Sequence, residues 1–189
     1  ANIYALAASI APTIKPGDEV VVTNQDHEAN IGAWRRLSEH GAIIKEWKIN
    51  KEQGCLIPDD LDEVLSEKPV LVCFSHCSNI VGAINPAREI IERVQAVGAK
   101  AMVDGVSYAP HALPDPVALG ADFYAFSLYK TFGPHLGLMY VKRKHIEGLV
   151  NQRHYFKANH LTASARIDVA GPNHAAVASA AGISAIPTP

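Results

Sequence analysis

The chain has 189 residues, 48% of them hydrophobic and 19% charged, with a formal net charge of −2. That balance fits a globular protein with a buried core and argues against a basic nucleic-acid-binding surface or an acidic disordered tail. No apolar run approaches the ~18–20 residues of a membrane span, and no secretory leader is visible.

Helix-like and strand-like segments alternate along the chain. Residues 1–12 read as a helix, and Glu19 to Thr23 as a short strand after the turn Lys15-Pro16-Gly17-Asp18. Residues 27–40 read as a helix, with Ile31, Trp34 and Leu37 at three-residue spacing. Ala42 to Ile49 is a strand, and Pro58 starts a helix through Ser66 with Leu61, Val64 and Leu65 on one face. The unbroken apolar run Val70 to Ser75 has the character of a strand buried on both faces. Asn85-Pro86 opens the clearest helix: Asn85 as N-cap, Pro86 in the first position, Ala87, Ile90, Ile91, Val94 and Val97 inward, and Gly98 as the stop. Strands follow at 100–104 and 122–127. A last strand, Leu136 to Val141, comes after a turn short enough for it to run antiparallel. Repeated strand–helix–strand units predict an α/β fold: a mostly parallel sheet with helices on both faces. Asn151 to Asp168 is polar and His-rich and gives no clear pattern.

Cys55, Cys73 and Cys77 are an odd number in a chain too large to need disulfide staples, so free thiols and a reducing cytoplasm are expected. The chain opens inside a helical pattern and ends in an Ala-rich one, so it is expected to be part of a longer protein. The scattered histidines lack metal-ligand spacing, and no metal is expected.

In open parallel sheets, ligands bind beyond the carboxyl ends of strands. The first strand is followed by Gln25-Asp26-His27-Glu28-Ala29-Asn30, and the third by His76-Cys77-Ser78-Asn79-Ile80-Val81-Gly82. The fourth ends in Val103-Asp104-Gly105-Val106-Ser107, and the fifth in Ser127-Leu128-Tyr129-Lys130 before Gly133-Pro134. Four strands thus deliver titratable or polar groups to one edge. A lysine at the buried end of a strand must be desolvated or neutralised, and without its proton it is a nucleophilic amine. With a carboxylate on a neighbouring strand, it can hold an aldehyde cofactor whose pyridine nitrogen the carboxylate keeps protonated. No Gly-x-Gly-x-x-Gly follows any strand, which argues against a dinucleotide-binding domain.

These segments, in this order over roughly residues 1–142, resemble the class V aminotransferase family, and within it the cysteine desulfurase and selenocysteine lyase branch. The resemblance implies the large domain of a fold-type I enzyme with pyridoxal 5′-phosphate as cofactor. Lys130 resembles the lysine that forms the Schiff base, and Asp104 the partner of the pyridine nitrogen. His27 resembles the histidine stacked on the ring, and is carried over with Lys130 as catalytic. Asn79 resembles the asparagine near the phenolic oxygen or the substrate carboxylate, and Ser127 a phosphate-binding serine. Two positions depart from the desulfurase pattern: Ser107 stands where Gln is usual, and Tyr129 where His is usual. Both remain candidate cofactor contacts, Ser107 through water and Tyr129 through its hydroxyl.

The resemblance further implies a small amino-acid substrate and a homodimer. Residues 1–150 would form a cofactor-binding large domain incomplete at its start, and 151–189 its continuation or a dimer-contact segment. Arg166 to Asn173 faintly resembles the family segment that reaches into a neighbouring subunit's site. The small domain, with its carboxylate-binding arginine and the desulfurase cysteine, is not in the sequence. Transamination or epimerisation would use the same parts, and a chain without catalysis of its own is the competing reading. None of the three cysteines is expected to act as the sulfur nucleophile.

Overall fold

The structure, a computed structural model, describes residues 1–65, 69–154, 166–168 and 171–185. One six-stranded sheet organises the chain. Its strands are β1 (Glu19–Thr23), β2 (Ile43–Trp47), β3 (Pro69–Ser75), β4 (Lys100–Asp104), β5 (Phe123–Ser127) and β6 (Gly137–Val141), in the order β2-β1-β3-β4-β5-β6. The first five are parallel and β6 pairs antiparallel with β5, with Gly137 opposite Ser127. The carboxyl ends of β1 to β5 and the start of β6 therefore share one edge. The chain winds outward from β1 to β2, then crosses back to β3. The order thus reverses between β1 and β3, which opens a crevice at that edge.

Side chains alternate between the two faces, as strand geometry requires. Val20, Val22, Leu71, Cys73 and Met102 pack on one side with α1 (Asn2–Ile10) and Trp34 of α2 (Gly32–Arg35). Val21, Val72, Phe74, Val103 and Tyr124 pack on the other with α3 (Pro58–Val64) and α4 (Ala87–Ala96). Both faces are covered, which is why these strands read as unbroken apolar runs. Trp34, Trp47, Tyr124, Phe74 and Phe123 are the largest fully buried side chains. Burying each contributes about 2–3 kcal/mol.

Several local expectations are corrected. The helix expected over 27–40 is broken into a 3₁₀ turn at Glu28–Asn30, the short α2, and a 3₁₀ turn at Arg36–His40. The cause is Asn30, fully buried, whose amide donates to Asp26 Oδ2 at 2.7 Å while its oxygen accepts from Trp34 Nε1 at 3.0 Å. Asn85 does not cap α4: its amide donates to Ser75 O at 2.7 Å and to Gln25 Oε1 at 2.9 Å, so it ties strand ends together. Val97 follows the last turn of α4 and is exposed, not inward. The short α5 (Pro116–Leu119), capped by Asp115, was not anticipated. Ser66, where the helix after Pro58 was expected to end, lies outside the described residues.

Part of the polar stretch after 150 lies against α1. Val150 N donates to Ser9 O at 3.0 Å, Ser9 Oγ donates to Val150 O at 2.5 Å, and Gln152 N donates to Arg166 O at 2.7 Å. Residues 155–165 lie outside the described residues. A last helix, α6, covers His174–Ser179. Among the described residues, no helix is long and apolar enough to cross a membrane.

Candidate active site

Asp104 is the last residue of β4, in register with Ser75 on β3 and Ala125 on β5, and only 5% exposed. Among the described residues its side chain accepts one hydrogen bond, from the Val106 N–H at 2.9 Å. Burial pushes its carboxyl upward, while that N–H and the charges of His27 and Lys130 pull it down; burial prevails. A carboxylate so placed gains from a cationic hydrogen-bond donor arriving in the cleft.

Lys130 sits on the 3₁₀ turn Leu128–Thr131 that follows β5. The expectation of a lysine at the buried end of a strand is corrected. The strand ends at Ser127, Leu128 is the buried member of the turn, and Lys130 swings out to an exposed position in the cleft. The turn is held by Leu128 N–H donating to Leu136 O at 2.8 Å and Gly133 N–H donating to Leu128 O at 2.8 Å. It closes through Phe132 at φ 63°, a left-handed conformation uncommon for a bulky residue. Tyr129 is exposed and stacks on His135, with ring centroids 4.6 Å apart and planes 11° apart.

His27 leaves β1 and caps the turn 28–30, its Nδ1 accepting from the Ala29 N–H at 3.1 Å, and it lines the cleft. Asn79 is exposed on the loop after β3, where Ser78 Oγ accepts from the Ile80 and Val81 N–H groups, each at 3.3 Å. Ser107 and Ser127 are half-buried. All seven residues singled out in the sequence line one cleft of about 910 Å³. Ile167, Asp168 and Asn173 line it too, so part of the segment expected to reach toward a neighbouring subunit borders its own chain's cleft.

Beneath the cleft lies a polar network that the sequence did not reveal. Asp26 Oδ1 accepts from Thr23 Oγ1 at 2.7 Å and from the Ser75 N–H at 2.9 Å, which joins the ends of β1 and β3. Burial raises the Asp26 carboxyl to about 6, against the pull of its hydrogen bonds from Thr23, Ser75 and Asn30. Beside Asp104, His76 stacks on Tyr108 at 3.6 Å and shares a 2.8 Å hydrogen bond with the Tyr124 hydroxyl. His135 also went unassigned. Its place beside Tyr129 follows from the connection between β5 and β6 lying at the same edge, where β6 starts opposite Ser127. The polar residues before Glu28 were visible as a motif, but the partners that tie them to Ser75 and Asn85 lie 49 and 60 positions away.

The family model for aminotransferase class-V matches residues 1–165. The aminotransferase-like protein FGM3 of Gibberella zeae is 43% identical over 156 residues, covering 80% of this chain and 38% of that protein. The cysteine desulfurase-like protein ustD of Aspergillus flavus is 40% identical over 159 residues, covering 80% and 36%. The crystal structure of the cysteine desulfurase CsdA from Escherichia coli superposes with a TM-score of 0.84 at 28% identity, covering 97% of this chain and 48% of that one. The chain therefore spans little more than a third of the length of these two curated relatives.

Proposed function

The chain belongs to the class V aminotransferase family, and on that premise we propose that it forms the cofactor-holding part of a pyridoxal 5′-phosphate enzyme. In this reading the enzyme acts on a small amino acid, in the manner of cysteine desulfurases and selenocysteine lyases. The observation that carries the reading is the pairing of a buried Asp104 carboxylate with an exposed Lys130 amine on one cleft. The residues present fit the group. Asp104 has acceptor capacity left for a ring N–H, Lys130 offers a primary amine to an aldehyde, and Ser107, Ser127 and Tyr129 offer hydroxyls to phosphate and phenolic oxygens.

When bound, pyridoxal phosphate supplies an electron sink for charge that develops at Cα of an amino acid. Lys130 would hold the aldehyde carbon and, once displaced by the substrate amine, take and return the Cα proton. Asp104 would hold the proton on the ring nitrogen, its own charge favoured by that contact. His27 would cover one face of the ring, and Asn79 would donate to the phenolic oxygen or the substrate carboxylate. The cysteine desulfurase-like relatives favour elimination at the β-carbon. The aminotransferase-like relative supports transamination as a second reading, since the same residues serve both. The working assembly in this reading is a homodimer, which rests on the family resemblance alone. Turnover is a property of the whole protein, because the chain spans just over a third of these relatives.

The test is reconstitution of the protein with pyridoxal phosphate. A visible absorbance band is expected, absent in Lys130→Ala. Asp104→Asn is expected to keep the band and lose about a hundredfold or more in turnover of L-cysteine, since a neutral partner no longer holds the ring proton. An unchanged band in Lys130→Ala assigns the amine to another lysine and overturns the reading.

A further inference from the structure

Resting on the cofactor reading above, we propose that His76 is a positioning residue. Through its hydrogen bond to Tyr124 and its stack on Tyr108, it sets the aim of the Asp104 carboxylate at the cofactor's ring nitrogen. His76 does not line the cleft. It follows β3 directly, is 6% exposed, and its backbone N–H donates to Asp104 O at 2.8 Å. Its ring is held from two sides. Tyr108 stacks on it at 3.6 Å with planes 12° apart, and Tyr124 meets it edge-on at 6.0 Å and 87°. Burial alone lowers the His76 pKa to about 4, so the ring is a neutral hydrogen-bonding partner, not a second charge beside Asp104.

Each contact bears on the turn that carries Asp104. Tyr108 ends the turn that begins at Gly105, its N–H donating to Gly105 O at 3.1 Å. Within that turn, the Val106 N–H is the group bonded to the Asp104 carboxylate, and Ser107 lines the cleft. Tyr124, fully buried on β5, lies directly against Gly105 with no room for a side chain between them. The carboxylate is thus fixed by a short turn, and the turn is clamped between two tyrosines joined through one imidazole. A reacting group is held this closely only when its supporting shell is itself locked by packing and hydrogen bonds. Removing the His76–Tyr124 bond should let the turn relax and weaken the hold on the ring nitrogen.

Three variants isolate that bond. His76→Phe keeps a ring to stack on Tyr108 but strands the buried Tyr124 hydroxyl. Tyr124→Phe breaks the same bond from the other side, and the double variant leaves no orphan, so its stability should return toward that of the parent. Binding of two compounds to each protein is measured by fluorescence: pyridoxal 5′-phosphate, and its 1-deaza analogue, which lacks the ring nitrogen. The double variant should bind pyridoxal phosphate about 10-fold more weakly than the parent, while binding of the 1-deaza analogue is unchanged. Equal weakening for both compounds makes the bond merely structural and overturns the proposal, as does full recovery of pyridoxal phosphate binding in the double variant. A parent protein that binds neither compound sinks the cofactor reading itself. A parent that binds both, with variants that match it, sinks only the role of His76.

Discussion

Gly105→Ala tests the tightest junction beneath the site. A Cβ built at Gly105 falls closer than 3.0 Å to three atoms of Tyr124: Cε1, Cζ and the hydroxyl. The ring cannot swing into solvent, because Tyr124 is fully buried and meets Phe126 edge-on at 6.4 Å. Regaining ordinary contact requires the ring to shift, and a shift of its hydroxyl disturbs the 2.8 Å bond to His76. Overpacking of this kind costs about 1–3 kcal/mol, and a buried hydroxyl left unpaired costs about 1–3 kcal/mol more. A loss of about 3 kcal/mol is expected, which lowers the thermal midpoint by roughly 6–12 °C for a chain of this size. The assay is thermal unfolding followed by circular dichroism, with Gly148→Ala as control, since no atom of the described residues lies within 4 Å of a Cβ there. A Gly105→Ala midpoint within about 2 °C of the parent would refute the packing argument, which rests on differences this large being resolved.

Two further outcomes are expected. Burial by itself would raise the Asp122 carboxyl, but hydrogen bonds from His145, the Ala101 N–H and Gln95 outweigh it and hold it at about 2. Because the folded pKa lies below the unfolded one, this stabilisation of about 2 kcal/mol is present above pH ~4 and lost as pH falls toward 2. Denaturant titrations should show Asp122→Asn losing that acid-side slope, and a variant with the parent's slope between pH 4 and 2 contradicts the assignment. Among the cysteines, native alkylation with mass mapping should label Cys55 first, because it is only half-buried, while burial raises the Cys73 and Cys77 thiols. Cys77 lines the cleft yet is only 7% exposed, so rapid selective labelling there would reopen its candidacy as a sulfur nucleophile.

Secondary structure was legible where one residue's neighbours decide it. Val70 to Ser75 reads as a doubly buried strand because both of its faces meet apolar layers, and Gly98 reads as a helix stop because it adopts φ 81°. The same local logic failed at residues 27–40, where apolar spacing indicates one helix but Asn30 is bound by Asp26 and Trp34. It failed at Asn85 as well. A capping side chain and a strand tie look identical in sequence, and the buried acceptors Ser75 O and Gln25 Oε1 decided between them.

The candidate residues followed from the rule that strand ends share an edge, which needs only strand order and direction. By itself the sequence determined the alternation of strands and helices and which polar groups leave each strand. The tertiary structure alone decided that Lys130 stands exposed on a turn past β5, that His135, in the turn before β6, stacks on Tyr129, and that His76, Tyr108 and Tyr124 close on the turn behind Asp104. The contacts of His76 with Tyr108 and Tyr124 join residues far apart in the chain. Their formation depends on desolvation and packing in the folded interior, which no local pattern of residues encodes.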